Sequence, residues 1–385
     1  MGFRSIIWER CYNEPDLMRN WSFEMIKRRI ICAVLVLAVA APGLVSGCSR
    51  NGKSSDTLAD PGEVTESQTL ESTEITDVTE TTAEEKEAEP FTFDPHVKCE
   101  LLSEIVTDEM WDSFYNMVDA IRAGEDTFEC SDEHAYEWCT NDCTIGSFLP
   151  AACTHVTGDG YEDGTGRLKY KMDKEKLLER EQVFEDEIVR ILNEATRTDY
   201  SEFEKLMTIY DYVCRNFRYD YSSIDGEDAD GFSTYACFMT KEGICCEYAG
   251  VMTYLLLQTG VQAMDFGGQG TGGFHSWNYV VIDGKGYHVD ATWGAYDDTP
   301  GSKLCLQYFM MTEDERKIGY FEDFLQADLI WFWKTDYDLA RFSATDETFK
   351  PLHDWTNYEG IDTERNVILY ADESGNHHEL SYGDM

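Results

Sequence analysis

Positive charge is what this chain has least of. Its 385 residues carry 31 Lys and Arg against 75 Asp and Glu, a formal net charge of −44. Binding to nucleic acid needs a basic footprint over the phosphates, and this balance excludes it. The acidity serves solubility. Cysteine spacing excludes a second class. Cys130, Cys139, Cys143 and Cys153 lack the paired C-x-x-C spacing of a zinc site, so neither a metal nor another cofactor is expected. A dinucleotide loop is excluded too. GQGTGG (268–273) fits G-x-G-x-x-G, but such a loop must lead from a strand into a helix. Here a strand follows, and the glycines read as a flexible loop over which substrate reaches His275. No internal repeat is present.

Aromatic residues are absent from 49–90, where Ser, Thr, Glu and Asp dominate. Between Asp56 and Pro90 there are twelve acidic residues and one lysine. Such a segment buries too little apolar surface to offset its ordering entropy, so 49–94 is read as a disordered, self-repelling tether. The apolar run before it, Ile30 to Ala40, is too short to span a bilayer comfortably. It follows a basic trio (Lys27, Arg28, Arg29) and ends in VSGC. That order resembles a bacterial lipoprotein signal, with Ser46 and Gly47 before a Cys48 that would carry the lipid. Residues 25–48 are therefore expected to be a signal peptide and lipobox, and 1–24 a leader ahead of the better start at Met25. The expected location is extracytoplasmic, anchored to the bacterial membrane through Cys48.

Globular composition begins near Phe91. The spacing predicts helices over 107–125, over 131–139 with Ser131 as cap, and over 174–195 with Leu178, Val183, Ile188 and Ile191 as apolar positions. A strand is predicted over 166–173. Phe203, Leu206, Met207, Tyr210, Val213 and Phe217 form one stripe of an amphipathic helix over 201–221. Another helix starts at the Cys245–Cys246 doublet and stops at Gly260. VQAMDFGG reads as a strand, 275–293 as two strands about an Asp-Gly turn, and 366–382 as a hairpin. His377-His378 reads as solvated, and LIWFWK (329–334) as core. The divisions are an N-terminal α+β region (95–195), a catalytic core (196–315) and a C-terminal extension (316–385).

Three residues line up for chemistry: Cys245, His275 and Asp290. A thiol at a helix N-terminus beside an imidazole becomes a thiolate, the reactive form. The histidine takes and returns the proton, and the aspartate fixes its tautomer. An even-length turn puts His275 and Asp290 on one face of the hairpin. A turn centred on Ile282-Asp283 sets them directly opposite; one centred on Gly284-Lys285 separates them by roughly 13 Å. The triad is thus expected to need the first register or a bulge. Cys246, turned about 100° from its neighbour, is expected to pack. Tyr235 and Trp277 are candidate oxyanion or substrate contacts, although packing is the stronger expectation for Trp277 and Trp293.

The runs GICCEYA (243–249), HSWNYV (275–280) and YHVDATW (287–293) together resemble the transglutaminase-like superfamily, with weaker likeness in DYVCRNFRYDY, TYACFMTKEG and YFMMTEDE. The resemblance covers about 200–315. It implies an α+β, papain-like core, with a nucleophilic cysteine at a helix N-terminus packed on an antiparallel sheet carrying His and Asp. It implies Cys245 as nucleophile, His275 as base and Asp290 as orienting acid. Cys246 is the departure, a thiol at a position expected to vary. The expected function is acyl transfer on peptide or protein amides through a Cys245 thioester, with hydrolysis favoured over cross-linking. A non-catalytic scaffold at the cell surface and a peptidoglycan-directed amidase are the alternatives.

Overall fold

Local signals in the chain are strong enough to set most helix ends. The computed structural model describes residues 88–220, 233–270, 273–295, 304–316, 326–327, 342–354 and 356–383. The expected lipobox, most of the expected acidic tether and LIWFWK lie outside the described residues. No helix among the described residues is long and apolar enough to cross a membrane.

The first helix, α1 (Asp108–Arg122), starts where Thr107 accepts a hydrogen bond from the Met110 N–H. A short β1 (Thr127–Glu129) leads to α2 (Glu133–Cys139), capped by Asp132 rather than the expected Ser131. Ser131 is engaged elsewhere: its N–H donates to the Ser113 hydroxyl at 3.0 Å. After α3 (Asp142–Phe148) come β2 (Val156–Glu162) and β3 (Thr165–Tyr170), which form an antiparallel sheet in the order β1-β3-β2.

The long helix α4 (Lys174–Ala195) buries Leu177, Phe184, Ile188, Ile191 and Leu192. Val183, expected on that face, is 51% exposed. Ile188 and Ile191 are buried as expected, while Leu177 and Phe184 take the core slots expected of their neighbours Leu178 and Val183. Helix α5 (Glu202–Asn216) carries a full capping box between Ser201 and Glu204 and buries Phe203, Leu206, Met207, Tyr210 and Val213. It stops short of the expected 221, with the buried Phe217 as its extended C-cap. A two-residue parallel pair, β4 (Arg218–Tyr219) and β5 (Glu242–Gly243), brackets α6 (Thr234–Thr240). Then comes α7 (Cys245–Gln258), in which every residue from Glu247 onward is buried. A helix covered all round is a central helix, and Gly260 (φ +83°) ends the turn that follows it.

Strands β6 (Gln262–Gly270), β7 (Gly273–Ile282) and β8 (Lys285–Val289) form the sheet against which α7 packs. After α8 (Ala291–Gly294) and α9 (Glu313–Arg316), β9 (Gln326–Ala327) completes an antiparallel sheet in the order β8-β7-β6-β9. The expected terminal hairpin gains a third strand. β10 (Asn357–Asp362), β11 (Val367–Ala371) and β12 (His377–Ser381) make one antiparallel sheet. Buried side chains from Phe91 to Tyr382 join in one continuous cluster. The class is α+β, as the sequence predicts, with the α7 helix and its antiparallel sheet at the centre.

The β7–β8 register matches neither expected alternative. Ile282 pairs with Lys285 and Asn278 with Val289, so the turn is centred on Asp283-Gly284. Both turn residues have left-handed backbones, φ 49° and 71°, which suits a two-residue hairpin. Continued past Val289, this register sets Asp290 opposite Trp277, one pleat from His275. Diagonal neighbours on a sheet face are within reach of long side chains. The pair therefore meets without a bulge.

Candidate active site

Gly243 has no room for a side chain. A Cβ there would lie 2.8 Å from the Cys237 Sγ and 2.9 Å from the Glu247 Cβ. The chain passes this tight point and enters α7 at Cys245. Ile244, the N-cap, has no acceptor to offer, but the Glu247 carboxylate closes back on the Ile244 N–H at 2.9 Å. Cys245 thus sits half-buried on the first residue of a helix, where the unpaired N–H groups favour an anion.

Strand β7 brings the histidine to the thiol. Asn278 ties this strand to α7 by donating to the Ala249 carbonyl and the Thr253 hydroxyl, both at 2.9 Å. His275 hydrogen-bonds the Cys245 sulfur, and the Ser276 N–H donates to the same sulfur. The other side of the imidazole is taken by Asp290: His275 Nε2 to Asp290 Oδ2 is 2.6 Å. With Nε2 spent, Nδ1 is the nitrogen left for sulfur. Asp290 is itself fixed twice over. Its Oδ1 caps α8 by accepting from the Trp293 N–H at 3.1 Å, and its own N–H donates to the Tyr308 carbonyl at 2.9 Å. The side chain of Asp290 is 1% exposed and that of His275 11%.

The electrostatics favour a thiolate–imidazolium pair. The Cys246 thiol, hydrogen-bonded to the Cys245 sulfur, contributes most to holding Cys245 well below the usual thiol range. Burial opposes this, and His275 and the Ser276 N–H add to it. For His275, burial opposes the charge, but the Asp290 carboxylate and the Cys245 sulfur outweigh it and raise the imidazole above its ordinary value.

Residues 189–293 match the model of the transglutaminase-like superfamily. The matched span holds all three residues of the Cys-His-Asp array. Two curated relatives resemble this region. Kyphoscoliosis peptidase from Homo sapiens is 29% identical over 136 residues, 32% of this chain and 20% of that protein. The Mus musculus protein of the same name is 26% identical over 131 residues, 31% and 20%. The chain thus spans about a fifth of the length of these relatives. Solved structures similar to it include a TGase (18% identity, 37% of this chain and 46% of that one, TM-score 0.27). A second is a putative cysteine protease from Cytophaga hutchinsonii (17%, 36% and 61%, TM-score 0.21). A third is the arylamine N-acetyltransferase NAT3 from Bacillus cereus (15%, 52% and 93%, TM-score 0.27).

The remaining sequence candidates fall elsewhere. Tyr235, on α6, has the Arg180 guanidinium 3.3 Å from its ring centre and Phe184 beside it. Those contacts seat it against α4. Trp277 is 1% exposed and donates its indole N–H inward, to His288 Nδ1 at 3.1 Å. That packing leaves it unavailable as a substrate donor. Cys246 differs from the packing role expected of it. Its single S–H has two acceptors in reach, the Glu247 Oε1 at 3.1 Å and the Cys245 sulfur, and serves one of them at a time. Adjacent helical side chains diverge by about 100°, but all tilt toward the helix N-terminus, where these two sulfurs meet.

Sequence reasoning assigned no role to Asn278, Ser276 or the His288–Glu313 pair. Asn278 stood within the HSWN run and could have been found there. A backbone N–H such as that of Ser276 leaves no mark in a sequence.

Proposed function

We propose that this chain is a thiol acyl-transfer enzyme that hydrolyses peptide or protein amides at Cys245. The observation that carries the reading is the fixed imidazole: Nε2 held by a buried carboxylate at 2.6 Å, and the ring hydrogen-bonded to a thiol at a helix N-terminus. In the proposed reaction the Cys245 thiolate attacks the amide carbonyl carbon and a C–S bond forms. His275 gives its proton to the departing nitrogen as the C–N bond breaks, leaving a thioester. Water then attacks the thioester carbon and His275 takes its proton. The C–S bond breaks, releasing the acid and restoring the thiolate. The peptidase name of the curated relatives supports water as the final acceptor. We place the domain outside the cytoplasm, on a lipid at Cys48 and an acidic tether; the resemblance of the basic trio, short apolar run and VSGC ending to a lipoprotein signal supports this.

Limiting iodoacetamide followed by peptide mapping tests the site. Peptide and amine-donor substrates, assayed on the wild type and Cys245→Ala, test the reaction. Cys245 is expected to label first, and the substitution to abolish peptide turnover. Amine incorporation into product would shift the reading to cross-linking. Turnover confined to muropeptides would make it a peptidoglycan amidase. Equal slow labelling of all thiols, with no activity lost in Cys245→Ala, would leave a scaffold.

A further inference from the structure

Behind the hairpin lies a second polar chain that the proposed reaction does not use. His288 on β8 is 0% exposed, Trp277 on β7 1% and Arg316 on α9 2%. The Trp277 indole N–H donates to His288 Nδ1 at 3.1 Å. His288 Nε2 meets the Glu313 Oε2 at 2.9 Å, and Arg316 donates to the Glu313 Oε1 at 2.6 Å. The Arg316 guanidinium also lies over the Trp277 ring, 5.2 Å from its centre.

Donor counting fixes the protons. An indole nitrogen can only donate, so His288 Nδ1 carries a lone pair and the single ring proton sits on Nε2, facing Glu313. A second proton on Nδ1 would oppose the indole N–H. His288 is therefore held neutral, in one tautomer, by its two partners. Burial of Glu313 works against its charge, yet the hydrogen bonds from His288 and Arg316 and the Arg316 charge hold the carboxylate below its ordinary range. Buried polar chains of this kind seldom repay their desolvation, and an apolar replacement is often as stable. A role in positioning gives this one its purpose.

The chain ends at the active-site imidazole. The Trp277 ring runs nearly parallel to that of His275, 17° apart at 6.3 Å, and Trp293 stacks on the same imidazole at 4.7 Å. We propose that His288, oriented by Glu313 and Arg316, is a positioning residue for His275, acting through the hydrogen bond that fixes the Trp277 indole. The site reading above is the basis of this assignment. The described charged or titratable groups that face His275 are Cys245 from α7 and Asp290 from the head of α8. Those facing His288 and its partner carboxylate include Glu313 and Arg316 from α9 and Tyr279 from β7, whose ring centre lies 5.4 Å from that of the imidazole.

The test is the pH profile of Cys245 alkylation, with kcat and KM for a peptide, in His288→Asn and His288→Gln. Asparagine offers an oxygen where Nδ1 stood and keeps the indole bond. Glutamine reaches toward Glu313 and releases the indole. The asparagine variant is expected to stay within about threefold of wild type. A misplacement near 1 Å can cost about 100-fold, so the glutamine variant is expected to lose 10- to 100-fold in kcat with KM held. Its alkylation should also begin at higher pH. Identical profiles for the two folded variants overturn the assignment. So does loss of folding in both, since the chain would then hold the core rather than the imidazole. His275→Ala and wild type run alongside. A wild type with no acid-stable thiolate would instead refute the site reading itself.

Discussion

Asp290→Asn isolates the charge behind the imidazole. The substitution keeps size and polarity but leaves one oxygen where two are used. Oδ1 caps α8 through the Trp293 N–H, and Oδ2 holds His275 Nε2 at 2.6 Å. If the amide oxygen keeps the cap, its NH2 faces Nε2, and the imidazole must carry its proton on Nδ1. That nitrogen then cannot take the thiol proton. If the oxygen faces His275 instead, the cap is lost, at a cost of about 1 kcal/mol. The lost charge matters more. Two charges about 4 Å apart interact by roughly 4 kcal/mol at an effective dielectric of 20, or about three decades in an equilibrium. Without the carboxylate the imidazolium gives up its proton at lower pH and the thiol keeps its proton to higher pH. Wild-type Cys245 is expected to alkylate rapidly well below neutral pH. In Asp290→Asn the onset should move up toward the ordinary thiol value of about 8.5. Peptide turnover should fall by roughly 10³-fold, with the melting temperature lowered by only a few degrees. The measurement is iodoacetamide rate against pH, with the labelled thiol identified by peptide mapping. A folded Asp290→Asn protein whose profile overlays the wild type would refute the reasoning.

Two further substitutions test the frame around the site. Glu181 on α4 is 3% exposed, its Oε1 has no hydrogen-bond partner among the described residues, and burial pushes its carboxyl up to about 8. Below the unfolded value near 4.3 the group is protonated in both states and costs nothing. Between there and pH 8 the folded state holds a proton that the unfolded state has released, so stability falls as pH rises, by on the order of 5 kcal/mol in all. Glu181→Gln should flatten that fall, read as urea midpoints from pH 5 to 9; parallel wild-type and variant curves would contradict it. Gly243→Ala puts a methyl 2.8 Å from the Cys237 sulfur and 2.9 Å from the Glu247 Cβ. It should cost about 1–3 kcal/mol and slow Cys245 alkylation by shifting the start of α7. An unchanged melting temperature together with an unchanged alkylation rate would show that the bend has slack.

Much of this protein can be read locally. The 3.6-residue stripe of Phe203, Leu206, Met207, Tyr210 and Val213 makes α5 whatever surrounds it, and Ser201 with Glu204 sets where it begins. Asp283-Gly284 marks the hairpin because few other pairs tolerate two left-handed residues. The order GICC, HSWN and VDATW identifies the thiol, the imidazole and the carboxylate, since that chemistry needs those groups. Tertiary structure decided the rest. It decided that the register set by this turn, with Asp290 a diagonal partner of His275, still brings the two side chains together without a bulge. Val183 came to face solvent because Phe184 fills the slot beneath α4. At the head of α7 the geometry turned Cys246 from a packing residue into a hydrogen-bond neighbour of Cys245. His288, Glu313 and Arg316 come from β8 and α9, and Trp277 from β7. Periodicity registers which face of an element is apolar, but not which distant polar group will meet another in the core. Their donors and acceptors match only after the chain has folded.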